Sequence, residues 1–263
     1  MPTPPPVVRA VVLAWGGLFL LDLVLGMYGA GLAGALAMDP LALLRLDPAA
    51  LPGALAYVAV HAGFLHVLLN AWVFLLFAPE IEVLLPGRRM AVFLGRAAVA
   101  GLLVSLLLAW LLPERFGAPV LGGSGLAAAA LAAHAAIYPG RRLHFFVIQF
   151  SVRTLFLVVL ALDVLGLIAQ FAGQPGGTAY AVHLAGTAVG WQAMGGFGRL
   201  EGPFRRWADA RRRKHSEKQR QQARADDAEE DRILAKISRE GISALTTRER
   251  DFLKRRSEQR RGG

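Results

Sequence analysis

Six long apolar stretches constrain the fold of this chain more than any other feature of its sequence. Residues 1–198 carry only 9 of the 29 Lys and Arg residues and 7 of the 19 Asp and Glu residues, whereas residues 199–263 carry 20 basic and 12 acidic residues. A membrane-spanning helix needs about 20 mainly apolar residues. The segments that meet this requirement are about 10–30, 57–78, 91–112, 121–138, 154–172 and 178–197. We therefore predict an all-α polytopic membrane protein with six transmembrane helices in residues 1–198 and a charged helical tail.

The basic residues between these segments predict the orientation in the membrane. One side has only Arg45 and Arg115, whereas the other side has the tail and the residues Arg88, Arg89, Arg96, Arg141, Arg142 and Arg153. Because cytoplasmic loops carry an excess of Lys and Arg, we expect both termini in the cytoplasm, with the second, fourth and sixth spans running inward from the outer face. The composition, rich in Ala, Arg and Gly, suits a bacterial inner membrane.

The first apolar segment raises the question of a cleaved signal peptide. The run Ala35-Leu36-Ala37 resembles a signal-peptidase site. However, the apolar stretch before it exceeds the usual length of about 7 to 15 residues, and Arg9 is the only basic residue that precedes it. We therefore expect the first helix to be retained.

Five polar side chains share one depth in the predicted membrane. His61, His66 and Asn70 lie in the first half of the second span, Ser124 begins the fourth, and His183 lies near the start of the sixth. Polar groups inside a membrane are costly and are usually either paired or functional, and five at one depth favour function. His66 and Asn70 are four residues apart and share a helix face, whereas His61 is expected to point away from that face. We expect Ser124 and His183 to approach within a hydrogen bond of about 2.6 to 3.2 Å.

Small residues favour that approach. His183, Gly186 and Gly190 form one helical stripe, and the span that begins at Ser124 is rich in alanine. Small residues on facing helices allow their backbones to come close. The same Gly-x-x-x-Gly spacing is also a general packing motif, and here packing is what would bring serine and histidine together.

Three motifs occur in order on the second, fourth and sixth spans. They are His61-x-x-x-x-His66-x-x-x-Asn70, Gly122-x-Ser124-Gly125 and His183-x-x-Gly186-x-x-x-Gly190. In the residues and the order of these motifs, the chain resembles the rhomboid family of intramembrane serine proteases. The resemblance implies that Ser124 is the nucleophile and His183 the general base. It also implies that His66, Asn70 and the backbone N–H of Ser124 form an oxyanion hole.

The resemblance assigns structural roles to further residues near the site. His61 would hold the adjoining loop, Glu82 would be architectural, and the glycines Gly122, Gly125, Gly186 and Gly190 would shape the site. The family often has an aromatic residue four positions after the serine, stacked on the catalytic histidine, and this chain has Ala128 there. This departure from the family pattern implies that His183 is less firmly oriented.

Other polar residues are assigned outside the catalytic pair. His134 lies ten residues past Ser124, about 15 Å further in at helical rise, which is too deep for the site. Asp163 is expected near mid-depth, below His183 and not in contact with it. The chain has no cysteine, which excludes disulfides and a thiol nucleophile. No metal cluster is predicted, because His61 and His66 are expected to face apart, and no cofactor is expected.

The tail is predicted to have two parts. Residues 199–230 form a basic juxtamembrane linker, for which anionic headgroups are the favoured partner over nucleic acid. Residues 231–263 form a small cytoplasmic helical module, with an apolar stripe of Ile233, Leu234 and Ile237, a stop at Gly241, and a capping box at 246–249. This module is similar to one at the end of many bacterial rhomboids.

The segment Phe145–Arg153, before the fifth span, includes apolar residues such as Phe146. It is predicted to lie at the inner membrane interface.

The predicted function is that of an intramembrane serine endopeptidase that cleaves transmembrane-helix proteins near the outer membrane face. The alternative within the same family is a catalytically silent protein that binds or escorts transmembrane helices. A third class, a transporter with His61, His66 and Asn70 along a solute path, leaves the Gly-x-Ser-Gly motif unexplained.

Overall fold

A computed structural model describes most of the apolar part of the chain and short pieces of the tail. The described residues are 3–145, 148–174, 179–195, 228–229, 231–239, 241, 245–246, 248–250 and 252–253. The helices in the apolar part are α1 Pro6–Gly26, α2 Leu32–Ala35, α3 Pro40–Leu44, α4 Leu51–Ala56, α5 Phe64–Leu84, α6 Arg88–Leu111, α7 Pro113–Phe116, α8 Ser124–Ile137, α9 Val152–Phe171 and α10 Tyr180–Ala193. A 3-10 turn at Pro48–Ala50 precedes α4, and a hairpin of β1 Arg142–Phe145 and β2 Ile148–Ser151 precedes α9.

Four helices in the described part of the chain are long and apolar enough to cross a membrane. These are α1, α5, α6 and α9, with 20 to 24 residues each and mean hydropathies between 1.8 and 2.3. The all-α polytopic membrane class is therefore confirmed, with one short hairpin added. The described lengths of α8 and α10 are 14 residues each, or about 21 Å at 1.5 Å per residue. Because that is shorter than a bilayer core of about 30 Å, the count of six spans stays a prediction.

The second span differs from its predicted boundaries of 57–78. The helix α5 begins only at Phe64 and continues through Pro79 to Leu84. Residues 57–63 form turns and bends before it. The predicted span was therefore displaced toward the N-terminus, since hydropathy records which residues are apolar and not where helical hydrogen bonding starts. This displacement alters the position of His61, as described below.

Helix α1 is attached to α5 by a buried carboxylate. The first turn of a helix has N–H groups without an intrahelical acceptor, and here Glu82 near the end of α5 accepts two of them. Its carboxylate oxygens lie 2.9 Å from the N–H of Val7 and 2.8 Å from that of Val8. Trp15 packs on Phe74 of α5 with ring centroids 5.1 Å apart. Side chains of α5 therefore contact α1 at its first turn and near its middle.

Helix α8 is the central element of the apolar part. It packs against α5, α6, α9 and α10, and almost all of its residues are buried. A Cβ atom added at Gly186 of α10 would collide with the backbone of Gly125, and one added at Gly190 would collide with Ala129. The backbones of α8 and α10 can therefore lie against each other only because these positions are glycine. This contact sets the distance between the start of α8 and the start of α10.

The segment predicted as interfacial, Phe145–Arg153, has more structure than that prediction implied. It includes the end of β1, the whole of β2 and the first residues of α9, while Phe146 lies outside the described residues. The Ser151 hydroxyl accepts the N–H of Thr154 at 3.0 Å and so caps α9. Whether this segment lies at the inner interface stays a prediction.

The chain divides into two compact units, Met1–Leu200 and Glu201–Gly263. In the second unit a helix covers residues 231–239, and Gly241 follows it with a positive φ of 81°. Glu249 accepts the N–H of Thr246 at 2.9 Å, and the Thr246 hydroxyl accepts the N–H of Glu249 at 3.3 Å. The capping box predicted from the sequence is thus formed. The predicted linker, residues 199–230, falls almost entirely outside the described residues.

Candidate active site

The loop before α8 places Ser124 at the first position of that helix. Gly122 has a φ of 122°, a conformation that side chains rarely adopt. A Cβ atom at this position would also lie 2.7 Å from Nε2 of His66. The N–H of Gly122 donates to the carbonyl oxygen of Tyr57 at 2.8 Å. The glycine requirement in the Gly122-x-Ser124 motif therefore has two causes, backbone conformation and the closeness of His66.

His61 lies against the same loop. Its Nε2 accepts the N–H of Gly123 at 3.2 Å, and the residue is 1% exposed. The prediction that His61 points away from His66 is wrong, because the two ring centroids are 5.0 Å apart. His61 precedes the start of α5 at Phe64, so helical angles do not govern its direction. The resemblance to rhomboids gave His61 the role of holding this loop, and its hydrogen bond is of the kind that such a role requires.

His66 and Asn70 lie one turn apart on α5 and both line a cavity of about 520 Å³. Ser124 and His183 line the same cavity, as do residues 118–121 of the loop before α8. The four residues that the sequence selected for chemistry are thus brought to one space. Its size is enough for several water molecules and a short peptide segment.

The side-chain amide of Asn70 is buried without a hydrogen-bond partner in the described part of the chain. The residue is 8% exposed, and its Nδ2 has no acceptor. A buried N–H group that lacks an acceptor costs about 1–3 kcal/mol. An oxyanion site requires such an unpartnered donor, because the negative charge that it binds develops on the substrate oxygen only during the reaction.

The imidazole of His183 is bonded to an acidic residue that sequence reasoning placed elsewhere. Nδ1 of His183 lies 2.9 Å from Oδ1 of Asp163 on α9, and the two side chains are 18% and 7% exposed. The expectation that Asp163 lies below His183 and out of contact is therefore wrong. That expectation estimated the depth of each residue from its position along its own helix. Contact also depends on how α9 and α10 are displaced relative to each other and on how far the side chains reach.

A sequence signal for this contact exists on α9. Gly166 lies three residues after Asp163 and so on the same helix face. A Cβ atom at Gly166 would collide with the ring of Tyr180, the first residue of α10. A small residue one turn from an acidic residue inside a span thus marks where α10 comes close, although its meaning becomes evident only from the tertiary contact.

Ser124 and His183 share the cavity without a direct hydrogen bond. The expected bond of about 2.6 to 3.2 Å is not formed, and the Ser124 hydroxyl has no hydrogen-bond partner among the described residues. Without substrate, catalytic hydrogen bonds are often long and shorten only in the reacting complex. Ala128, one turn along α8, lines a second cavity of about 290 Å³ that Ser124 and His183 also border. The position where the family often has an aromatic residue is thus next to open space.

The remaining predicted polar residues lie away from this site. His134 is fully buried at the other end of α8, with its Nε2 3.1 Å from Oε2 of Glu80 and 3.1 Å from Nη1 of Arg141. Asp22 of α1 accepts the N–H groups of Leu32 and Ala33 and caps α2. Within the described residues no group of three His, Cys, Asp or Glu side chains is arranged to hold a metal ion.

Comparison with known families gives one match. A family model described as Rhomboid domain matches residues 50–199, which is more than half of the chain and extends from the turn before α4 past the end of α10. No curated protein matches the chain.

Proposed function

Because the chain belongs to the rhomboid family, we propose that it is an intramembrane serine endopeptidase that uses Ser124 and His183. The family comprises proteases and related proteins that lack activity, so the proposal depends on the site of this chain. One observation carries it. Ser124, His183, His66 and Asn70 line a single cavity, with the Asn70 amide buried and unpartnered among the described residues.

The reaction would begin at Ser124. Its hydroxyl oxygen attacks the carbonyl carbon of the scissile peptide bond while Nε2 of His183 takes the hydroxyl proton. The tetrahedral intermediate collapses to an acyl-enzyme, and His183 gives the proton to the leaving amine. Water from the 520 Å³ cavity then attacks the ester, His183 takes one of its protons, and Ser124 is regenerated with release of the acid product.

Negative charge on the substrate carbonyl oxygen would be stabilised by three donors. The Asn70 amide has no competing acceptor in the described part of the chain, and the His66 ring lies beside Gly122. The N–H of Ser124 is in the first turn of α8, where helix N–H groups have no intrahelical acceptor and the helix dipole favours negative charge. Loss of one such donor in a soluble serine protease costs about 2.7–4 kcal/mol of activation free energy.

The substrates we propose are transmembrane-helix proteins. The 290 Å³ cavity extends from Ser124 between α5 and α9, with Leu69, Val73, Leu155 and Val159 among its lining residues. An extended apolar segment suits such a lining, since irregular backbone at membrane depth is tolerated only inside protein or beside water. Cleavage would take place near the outer face of a bacterial inner membrane, with both termini in the cytoplasm and the basic tail near anionic lipid.

Labelling with a fluorophosphonate tests this proposal directly. The purified protein, Ser124→Ala and His183→Ala are treated in detergent micelles, and folding is monitored by circular dichroism. We expect labelling of the wild type and none of either variant. Absence of labelling in a folded wild type would refute the protease function.

A silent helix-binding protein is the second candidate, and a specific observation favours it. Ser124 and His183 are not hydrogen-bonded, and open space lies beside Ala128. A folded but unlabelled protein that still cross-links to transmembrane helices through photoreactive groups between α5 and α9 would support this candidate instead.

A further inference from the structure

We propose that Asp163 is a positioning residue that orients His183 as the general base, so that this chain has a Ser–His–Asp arrangement. The inference rests on the proposed protease function. Its first support is the distance of 2.9 Å between Nδ1 of His183 and Oδ1 of Asp163. This contact joins α9 to α10, at residues 20 positions apart in the chain.

The contact fixes which ring nitrogen carries the proton. An ionised carboxylate only accepts hydrogen bonds, so with Asp163 ionised the donor is Nδ1 of His183. In the neutral ring the lone pair then lies on Nε2, the nitrogen that must take the proton of Ser124. Ser124 and His183 both border the two cavities of the site. The carboxylate therefore selects the tautomer that can act as a base toward the serine.

Asp163 has no other use in the described part of the structure. Its side chain is 7% exposed, and its second oxygen, Oδ2, has no hydrogen-bond partner there. An ionised carboxylate buried inside a membrane protein is costly unless it is paired. Pairing with the imidazole partly offsets this cost, and it offsets more when the ring becomes positively charged. The arrangement thus favours the imidazolium that forms as Ser124 attacks.

Within the described residues the hydrogen bond to Asp163 is the one that the His183 ring makes. His183 has no aromatic neighbour there, and Ala128 leaves the adjacent cavity of about 290 Å³ unfilled. A ring held by one hydrogen bond depends on that bond for its orientation. Asp163 therefore supplies the constraint that a stacked aromatic side chain at position 128 would otherwise supply.

Two substitutions of Asp163 distinguish a role in positioning His183 from a role in packing alone. In Asp163→Asn the shape is kept, but the amide N–H can donate to Nδ1 and so favours the tautomer with its proton on Nε2. The equivalent exchange in a soluble triad lowers kcat about 10⁴-fold. In Asp163→Ala neither tautomer is enforced. Positioning predicts a large loss for both variants, because neither holds the proton on Nδ1, whereas a purely packing role predicts little loss for Asn, which keeps the shape of the side chain.

The assay is the rate constant for fluorophosphonate labelling of Ser124 in the full chain, with the melting temperature of each variant. Asp22→Asn is the matched control, because it makes the same chemical change in another span, away from the site. We expect at least a 100-fold loss for Asp163→Asn and for Asp163→Ala, and wild-type labelling for Asp22→Asn. Labelling of Asp163→Asn within threefold of wild type overturns the proposal.

A second readout keeps this test distinct from that of the protease function. The ¹⁵N spectrum of His183, assigned with His183→Ala, reports the tautomer without any turnover. We expect the proton on Nδ1 in the wild type and on Nε2 in Asp163→Asn. An unlabelled wild type refutes the protease function, and the spectrum then still decides the role of Asp163. The same tautomer in both proteins overturns that role.

Discussion

Substitution of Gly186 by alanine tests whether close packing of α8 and α10 sets the distance between Ser124 and His183. A Cβ atom at Gly186 would lie 2.9 Å from the carbonyl carbon and 3.2 Å from the Cα of Gly125, and it would overlap the carbonyl oxygen. Carbon atoms prefer separations of about 3.5–4.0 Å. The obstacle is backbone, which cannot rotate away as a side chain can, so α10 must move outward by at least about 0.6 Å, the difference between 2.9 Å and the shortest preferred separation.

A displacement of this size has two measurable effects. Overpacking of a well-packed contact costs about 1–3 kcal/mol of stability. A misplacement of about 1 Å at a catalytic group costs about 10²-fold in rate. For Gly186→Ala we therefore expect a lower melting temperature and a loss of fluorophosphonate labelling that approaches 100-fold per folded molecule.

The matched control is Gly95→Ala on α6, where an added Cβ atom meets nothing within 4 Å. There the exchange replaces a poor helix former by a good one, so labelling should be unchanged and stability equal or higher. Wild-type labelling and melting of Gly186→Ala would refute the reasoning, because α8 and α10 would then not be limited by this contact.

Three further predictions follow from other contacts. Asn70→Ala should lower the labelling rate about 10²–10³-fold and leave the melting temperature unchanged, because the Asn70 amide has no partner in the described structure. A fall in both the labelling rate and the melting temperature would indicate that the amide has a structural role. Glu82→Ala leaves the first N–H groups of α1 uncapped and should cost about 0.5–2 kcal/mol, measured by thermal unfolding, with Asp47→Ala at an exposed turn as the control. The Thr246 N–H and then Lys236 lower the pKa of Glu249 from 4.5 to about 2, so its contribution to the tail fold is complete above about pH 4.5 and lost as the pH falls through 2. Hydrogen exchange of this segment should show that loss in the wild type and not in Glu249→Gln.

Much of the site could be predicted because it depends on properties of single segments. Hydropathy locates apolar segments without knowledge of their neighbours, and motif order placed Ser124 and His183 on different spans. The spacing of His66 and Asn70 gave their common face, because a helix repeats every 3.6 residues wherever it lies. The glycine at position 186 indicated that the backbone of its helix lies close to a neighbouring helix, since only the smallest residue permits such an approach. These inferences need no tertiary coordinates.

What the sequence alone determined is therefore the membrane class, the family motifs and the apolar segment on which each polar group lies. Tertiary structure decided which of those groups touch. His61 meets His66 because α5 begins later than its apolar residues do, and Asp163 meets His183 because α9 and α10 have a particular relative displacement. Shifts along and rotations about neighbouring helix axes arise from the packing of all the helices together. No single segment encodes them, so hydrogen bonds between helices become visible only when the helices are assembled.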